Sequence, residues 1–237
     1  MDILPTDTAN EVRGQRARVA VLPVGSFEQH GDHLPLMTDT LIAGLIAQRI
    51  ATAYQLWLLP PVAFGCSHEH TSLGATVSIS AATLYAVVTD IAKSLSKASV
   101  GSLVVVNGHG GNYVLSNVVQ EANESQPRLA LYPSRSDWDA ARAAAGMTTS
   151  TSEDMHAGEM ETSLLLHAMP ELVDPSFPTA DHQASDRPLL VTIGVQGYAP
   201  DGVIGTPSAA TAAKGKSALD ALPSSRSSTQ CREVLSV

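Results

Sequence analysis

Leu103-Val104-Val105-Val106-Asn107-Gly108-His109-Gly110-Gly111-Asn112 is the stretch that decides the fold class of this chain. Its first four residues are continuously apolar and largely β-branched, the pattern of a parallel strand covered on both faces. The glycines that follow permit a tight turn and close backbone approach to a ligand. A helical pattern resumes near residue 113. A buried strand that feeds a glycine-rich turn and then a helix is the repeating unit of an α/β domain, whose ligands bind beyond the carboxyl ends of the strands. His109 stands there, where a metal ligand is useful. A phosphate loop is the competing reading, but Gly-His-Gly-Gly lacks the Walker lysine and the full dinucleotide spacing.

On either side of it, apolar runs of strand length alternate with longer helical patterns. The spacing predicts strands at 18–24, 56–59, 75–79, 103–106 and 129–132, and helices near 40–53, 82–97, 113–125, 137–145 and 158–168. This alternation predicts a three-layer α/β/α domain with a mostly parallel central sheet. Residues 146–156 read as a polar loop, and 170–188 as a second, because Pro170, Pro175, Pro178 and Pro188 forbid a long regular element there. The reading is one domain over 1–237, with a core of about 18–215 and a tail of about 223–237 that frays.

Composition narrows the function classes. The chain has 237 residues, is 44% hydrophobic and 16% charged, and carries a formal net charge of −9. That acidic balance argues against nucleic acid, whose phosphates demand a Lys/Arg surface. No apolar stretch approaches the ~20 residues that span a bilayer, and the start lacks the features of a signal peptide. Cys66 and Cys231 are far apart and match no thiolate metal pattern. They are expected as free thiols in a reducing cytoplasm.

Three clusters can carry chemistry. Arg18-Val19-Ala20-Val21-Leu22-Pro23-Val24 runs into Gly25-Ser26-Phe27-Glu28-Gln29-His30-Gly31-Asp32-His33-Leu34-Pro35-Leu36-Met37-Thr38-Asp39. Glu28 and His30, two apart, leave an extended segment from one face. Asp39 returns after a proline-stiffened loop, and Glu, His and Asp converging at a strand end is how a divalent-metal site is built. The competing reading of Asp39 is a cap for the helix 40–53. The turn around His109 is the second cluster. Asp154-Met155-His156-Ala157-Gly158-Glu159-Met160-Glu161-Thr162-Ser163 is the third, where Glu159 and Glu161 could equally serve the helix dipole alone. All three fall at strand-to-helix or loop-to-helix junctions, which favours one shared site over coincidence.

The residues Gly25–Pro35 with Asp39, Asn107–Asn112 and His156–Ser163 together resemble the signature motifs of the creatininase (creatinine amidohydrolase) family, in the right order and spacing. The resemblance covers about 18–215. It implies a three-layer α/β fold, a homo-oligomer (often hexameric) and a two-metal centre of Zn, Mn or Fe that hydrolyses C–N bonds of amides. By position, Glu28 and His109 resemble ligands of one metal, His30 a ligand of the other, and Asp39 the bridging carboxylate. The creatinine-hydrolysing branch carries a glutamate ligand where this chain has Gly111, so either the second metal is weak or absent or another acid replaces that ligand, with Glu159 the natural candidate. Met155 likewise stands where that branch has a glutamate, which argues against creatinine as substrate.

The His-Gly-Gly-Asn form resembles instead the mycofactocin-maturation peptidase, formamide deformylases and a cyclic-ketone hydrolase. The substrate is expected to be an amide, cyclic amide, formamide or short modified peptide, attacked by a metal-activated water. A binding or scaffold subunit that has lost catalysis is the non-enzyme alternative. In the mechanism that these residues suggest, His156 is the proton donor to the departing nitrogen, and Glu161 orients His156 or holds its protonated form. His70 or Glu69, after the 56–64 region, is expected to touch substrate, with a plain surface loop as the competing reading. His33, His167 and His182 read as structural, and Trp138 as either pocket wall or helix packing.

Overall fold

Val19–Val24 is buried at all six positions and forms β1, an inner strand of a four-stranded parallel sheet. The computed structural model describes residues 3–224 and residue 231. In chain order its elements are α1 (Ala9–Gln15), β1, α2 (Thr38–Tyr54), β2 (Trp57–Leu58), α3 (Ala81–Lys97), β3 (Ser102–Asn107), α4 (Val114–Ala122) and β4 (Leu129–Tyr132). There follow α5 (Arg135–Ala144), α6 (Glu159–Ala168), α7 (Leu190–Ile193) and α8 (Ala212–Ala221). The strand order is β2-β1-β3-β4, with Val19 opposite Ser102 and Leu103 opposite Leu129.

Successive side chains of a strand leave opposite faces, and here both faces are apolar. Val19, Val21, Val104 and Val106 pack with α2, α6 and α8 in one core. Ala20, Leu22, Val24, Leu103 and Val105 pack with α3 and α4 in the other. Each fully buried Val, Leu or Ile contributes roughly 1.5–3 kcal/mol of burial, so the continuous apolar runs are what force helices onto both faces. The result is the expected α/β/α sandwich. Among the described residues, no helix is long and apolar enough to cross a membrane.

One expected strand is absent. Ala75–Ile79 joins no ladder; it makes isolated bonds, Val77 N to Phe27 O at 2.9 Å and Ile79 N to Gly65 O at 2.9 Å. Gly74 and Ala75 both have positive φ, which turns the segment out of the sheet and across the loops. Its alternation serves another purpose. The polar positions Thr76 and Ser78 accept from Gln29 N and Ser67 N, at 3.1 and 2.9 Å. α8 has no counterpart among the helices expected from the spacing; Thr211 caps it, and it packs against α6. Trp138 is partly buried and packs on the core. The expected frayed tail falls mostly on 225–230 and 232–237, outside the described residues.

Candidate metal centre

The loop after β1 folds back on itself. Glu28 N donates to Leu36 O at 3.0 Å, and Thr38 donates twice to Pro35 O, through N and Oγ1. This closes the loop and starts α2 so that Asp39, in its first turn, comes back beside His30. Asp39 is no cap: its carboxylate accepts from Ser26 Oγ at 2.8 Å and faces His30 and His109. Gly108 brings β3 to the same place, since a Cβ there would overlap the Asp39 carbonyl oxygen. The carboxyl ends of β1 and β3 thus deliver Glu28, His30, Asp39 and His109 to one point, all buried.

Asp39 divides its two oxygens between two groups. Oδ1 lies 3.1 Å from His30 Nε2, and Oδ2 lies 2.9 Å from His109 Nδ1. Glu28 Oε1 is 3.2 Å from His109 Nδ1, 3.4 Å from His70 Nε2 and 3.8 Å from His156 Nδ1. Donor atoms fall within 4.8 Å of one another in three sets: Glu28-Asp39-His109, His30-Asp39-Glu161 and Glu28-His30-His156. Both Glu28 carboxylate oxygens are buried without a hydrogen bond. A buried carboxylate without hydrogen bonds is costly, and a divalent cation offsets that cost, so the residues present fit such an ion.

The histidines are turned for ligation. A carbonyl oxygen only accepts, so His30 Nδ1 donates to Glu28 O (3.1 Å), His109 Nε2 to Cys66 O (3.0 Å) and His156 Nε2 to Gln29 O (2.7 Å). Each ring is left with its other nitrogen facing the cluster, as the outer partners of metal-binding histidines arrange. The electrostatics are extreme. Burial opposes charge on His30, yet Asp39, Glu161 and Glu28 raise it to about 9. Burial likewise opposes charge on His109, but Glu28 and Asp39 hold it well above its ordinary value. Burial, with the charges of His30 and His70, pushes His156 well down.

The third junction delivers its acids differently from the sequence expectation. Residues two apart on a helix point about 200° apart, so Glu159 and Glu161, at the start of α6, cannot both face the cluster. Glu161 faces it, beside His30 and Asp39, with Oε2 accepting from Ala157 N at 2.6 Å. Glu159 points away. It takes Lys214 Nζ at 2.5 Å and Thr149 Oγ1 at 2.7 Å, so it does not replace the ligand absent at Gly111. Nor does Glu161 bond to His156, the orientation expected of it; Gln29 O holds that ring instead.

His70 is buried and braces the centre, accepting from Gln29 Nε2 at 2.8 Å while its Nε2 faces Glu28. Glu69 stands over Gly111, its Oε1 3.7 Å from His109 Nε2. His33 joins its loop to Ala157 O at 3.0 Å, and His182 bonds Tyr198 O at 2.8 Å. Sequence reasoning passed over Gln29, Ser26 and Asn112. Asn112 ties three loops through Cys66 N, Gly25 O and Asn107 Oδ1. Each lies inside a motif already singled out, which is the signal that could have found it. Cys66 and Cys231 are free thiols.

Known proteins resemble this chain in sequence and in fold. The creatininase family, described as creatinine amidohydrolase, matches residues 6–226. A mycofactocin precursor peptide peptidase of Mycobacterium ulcerans (strain Agy99) is 38% identical over 208 residues, 83% of this chain and 78% of that protein. A crystal structure of creatinine amidohydrolase (creatininase) superposes with a TM-score of 0.81 at 25% identity, covering 97% of this chain and 96% of the other. A mutant creatininase of Zn–Zn type gives 0.79 at 24% identity over 99% of both chains, a likeness of fold. With its parallel sheet and its convergent strand-end motifs, this chain belongs to the creatininase family of amidohydrolases.

Proposed function

We propose that the chain, acting as one domain over 1–237, is a two-metal hydrolase that cleaves the C–N bond of a small amide or a short modified peptide. The observation that carries this reading is Asp39, whose two oxygens face two separate donor sets. Glu28, Asp39 and His109 would hold one divalent ion, and His30, Asp39 and Glu161 the other. Zinc, manganese and iron all suit this mixed nitrogen and oxygen donor set. When bound, the ions supply a water that ionises near neutrality and a Lewis acid for the substrate carbonyl.

The remaining work falls to the chain itself. His156 keeps its proton on Nε2, against Gln29 O, and presents Nδ1 as an acceptor toward Glu28. It takes the proton of the attacking water on Nδ1 and passes it to the departing nitrogen as the C–N bond breaks. Gln29 fixes both His156 and His70, so a single residue sets the orientation of two rings. The peptidase relative favours a short modified peptide over a simple amide. The unpaired thiols suit the cytoplasm, and the family resemblance supports a homo-oligomer, a hexamer in our reading.

His156→Ala tests the assignment. We expect metal content to be unchanged and turnover, over a panel of formamides, cyclic amides and short peptides, to fall by about 10²–10⁴. Loss of metal from this variant would make His156 a ligand and refute its role as the proton carrier.

A further inference from the structure

A cavity of about 410 Å³ lies against one side of the centre, lined among others by Glu69, Gly111, Tyr113, Val191 and Ile193. Its inner wall is Glu69. A Cβ at position 111 would overlap Glu69 Oε1, the Cys66 carbonyl oxygen and His109 Nε2, so glycine is what admits this carboxylate. Glu69 is 19% exposed, and its one ion-pair neighbour among the described residues is His109, at 3.7 Å. The proton on that His109 nitrogen already goes to Cys66 O. Glu69 therefore lines the cavity with a carboxylate that no cation among the described residues meets within hydrogen-bonding distance.

Much of the remaining lining is apolar and open, with His68, Ser72, Thr192 and Gln196 as its polar members. Tyr113 is 65% exposed, Val191 85% and Ile193 40%. Scattered exposed hydrophobics need no explanation, but a contiguous set rimming a cavity marks a binding surface. Apolar wall and inner carboxylate call for one kind of occupant: an apolar body carrying a cationic nitrogen. An anionic group would be disfavoured beside the Glu69 carboxylate, and a wholly apolar one would leave that carboxylate without a close donor.

Resting on the amidohydrolase reading above, we infer that this cavity is the specificity pocket of the enzyme. Glu69 receives a protonated amino group of the substrate, and the Tyr113–Val191–Ile193 wall receives an apolar side chain. The preferred substrates are then amides of apolar amino acids with a free α-ammonium.

Calorimetric titration of the metal-loaded full chain with leucinamide and with N-acetyl-leucinamide tests this. Leucinamide should bind about tenfold more tightly, the worth of one charge-assisted hydrogen bond. Glu69→Gln should abolish that preference, and Val191→Asp should weaken both ligands. The ligand pair on the unaltered protein decides the matter even if a variant fails to fold. Equal affinities, no binding, or a preference that survives Glu69→Gln would overturn the pocket. So would a Val191→Asp variant that changes oligomeric state and leaves leucinamide affinity intact, since the face would then join copies of the chain. A chain that shows the ammonium preference but hydrolyses no amide refutes the amidohydrolase reading alone. One that hydrolyses amides without that preference refutes the pocket alone.

Discussion

Two buried polar clusters lie on either side of the start of α6, and they are completed in different ways. In one, Arg142 Nη2 meets Asp154 Oδ2 at 2.7 Å, and Lys214 meets Glu159 at 2.5 Å. Asp154 also accepts from the first amides of α6, Glu159 N at 2.5 Å and Met160 N at 3.0 Å, so it caps a helix whose own N-cap, Gly158, has no side chain. Every acid there has a fixed cation from the chain. In the other cluster the ionisable partners of Glu28, Asp39 and Glu161 among the described residues are histidines, with no Lys or Arg, and both Glu28 oxygens lack a hydrogen bond. Buried charge is tolerated when paired. The first cluster is therefore scaffold, and the second is a socket for cations from outside.

The largest effect separating the two should come from Asp39→Ala. Removing the carboxylate shared by both donor sets should release both ions and take activity below detection, while the Arg142 side of the molecule stays folded. Elemental analysis with circular dichroism reads both; retention of two ions would break the comparison. Next, Arg142→Met leaves Asp154 buried and unpaired, which should cost about 3–5 kcal/mol of stability. Denaturant unfolding measures that loss, and metal content should not change. A variant that loses metal but not stability would reverse the two assignments.

The finest test contrasts two acids on neighbouring positions. Glu161→Gln should weaken one of the two ions by about 100-fold or more, the scale on which damage to a metal shell is felt. Glu159→Gln should keep both ions and lose about 1–3 kcal/mol of stability, the worth of a hydrogen bond to a charged group. Competition with a chromogenic chelator and thermal melts separate the outcomes. Ion loss from Glu159→Gln would return that residue to the centre.

The contrast also shows where sequence was legible. The runs at 18–24 and 103–106 announced the sheet because strands covered on both faces must be apolar at every position. The Gly25–Asp39 and Asn107–Asn112 motifs announced the centre because a strand end needs little else to aim a side chain. Glu159 and Glu161 were not separable in this way. Both sit at the start of one helix, and which of them faces the cluster depends on how α6 is set against α8 and Lys214, contacts made far along the chain. Glu69 was read only as one of two candidate substrate contacts, and its approach to Gly111 is a tertiary event that no local pattern encodes. Ala75–Ile79 carried the alternation of a strand and spent it on loops, since two positive-φ residues precede the run's core.

The function proposed for this chain turns on a socket for two ions built around Asp39. Its sharpest test is the metal-to-protein ratio of the full chain after stripping with chelator and reconstitution with zinc or manganese. Two ions per chain are expected; one ion or none contradicts the two-metal socket.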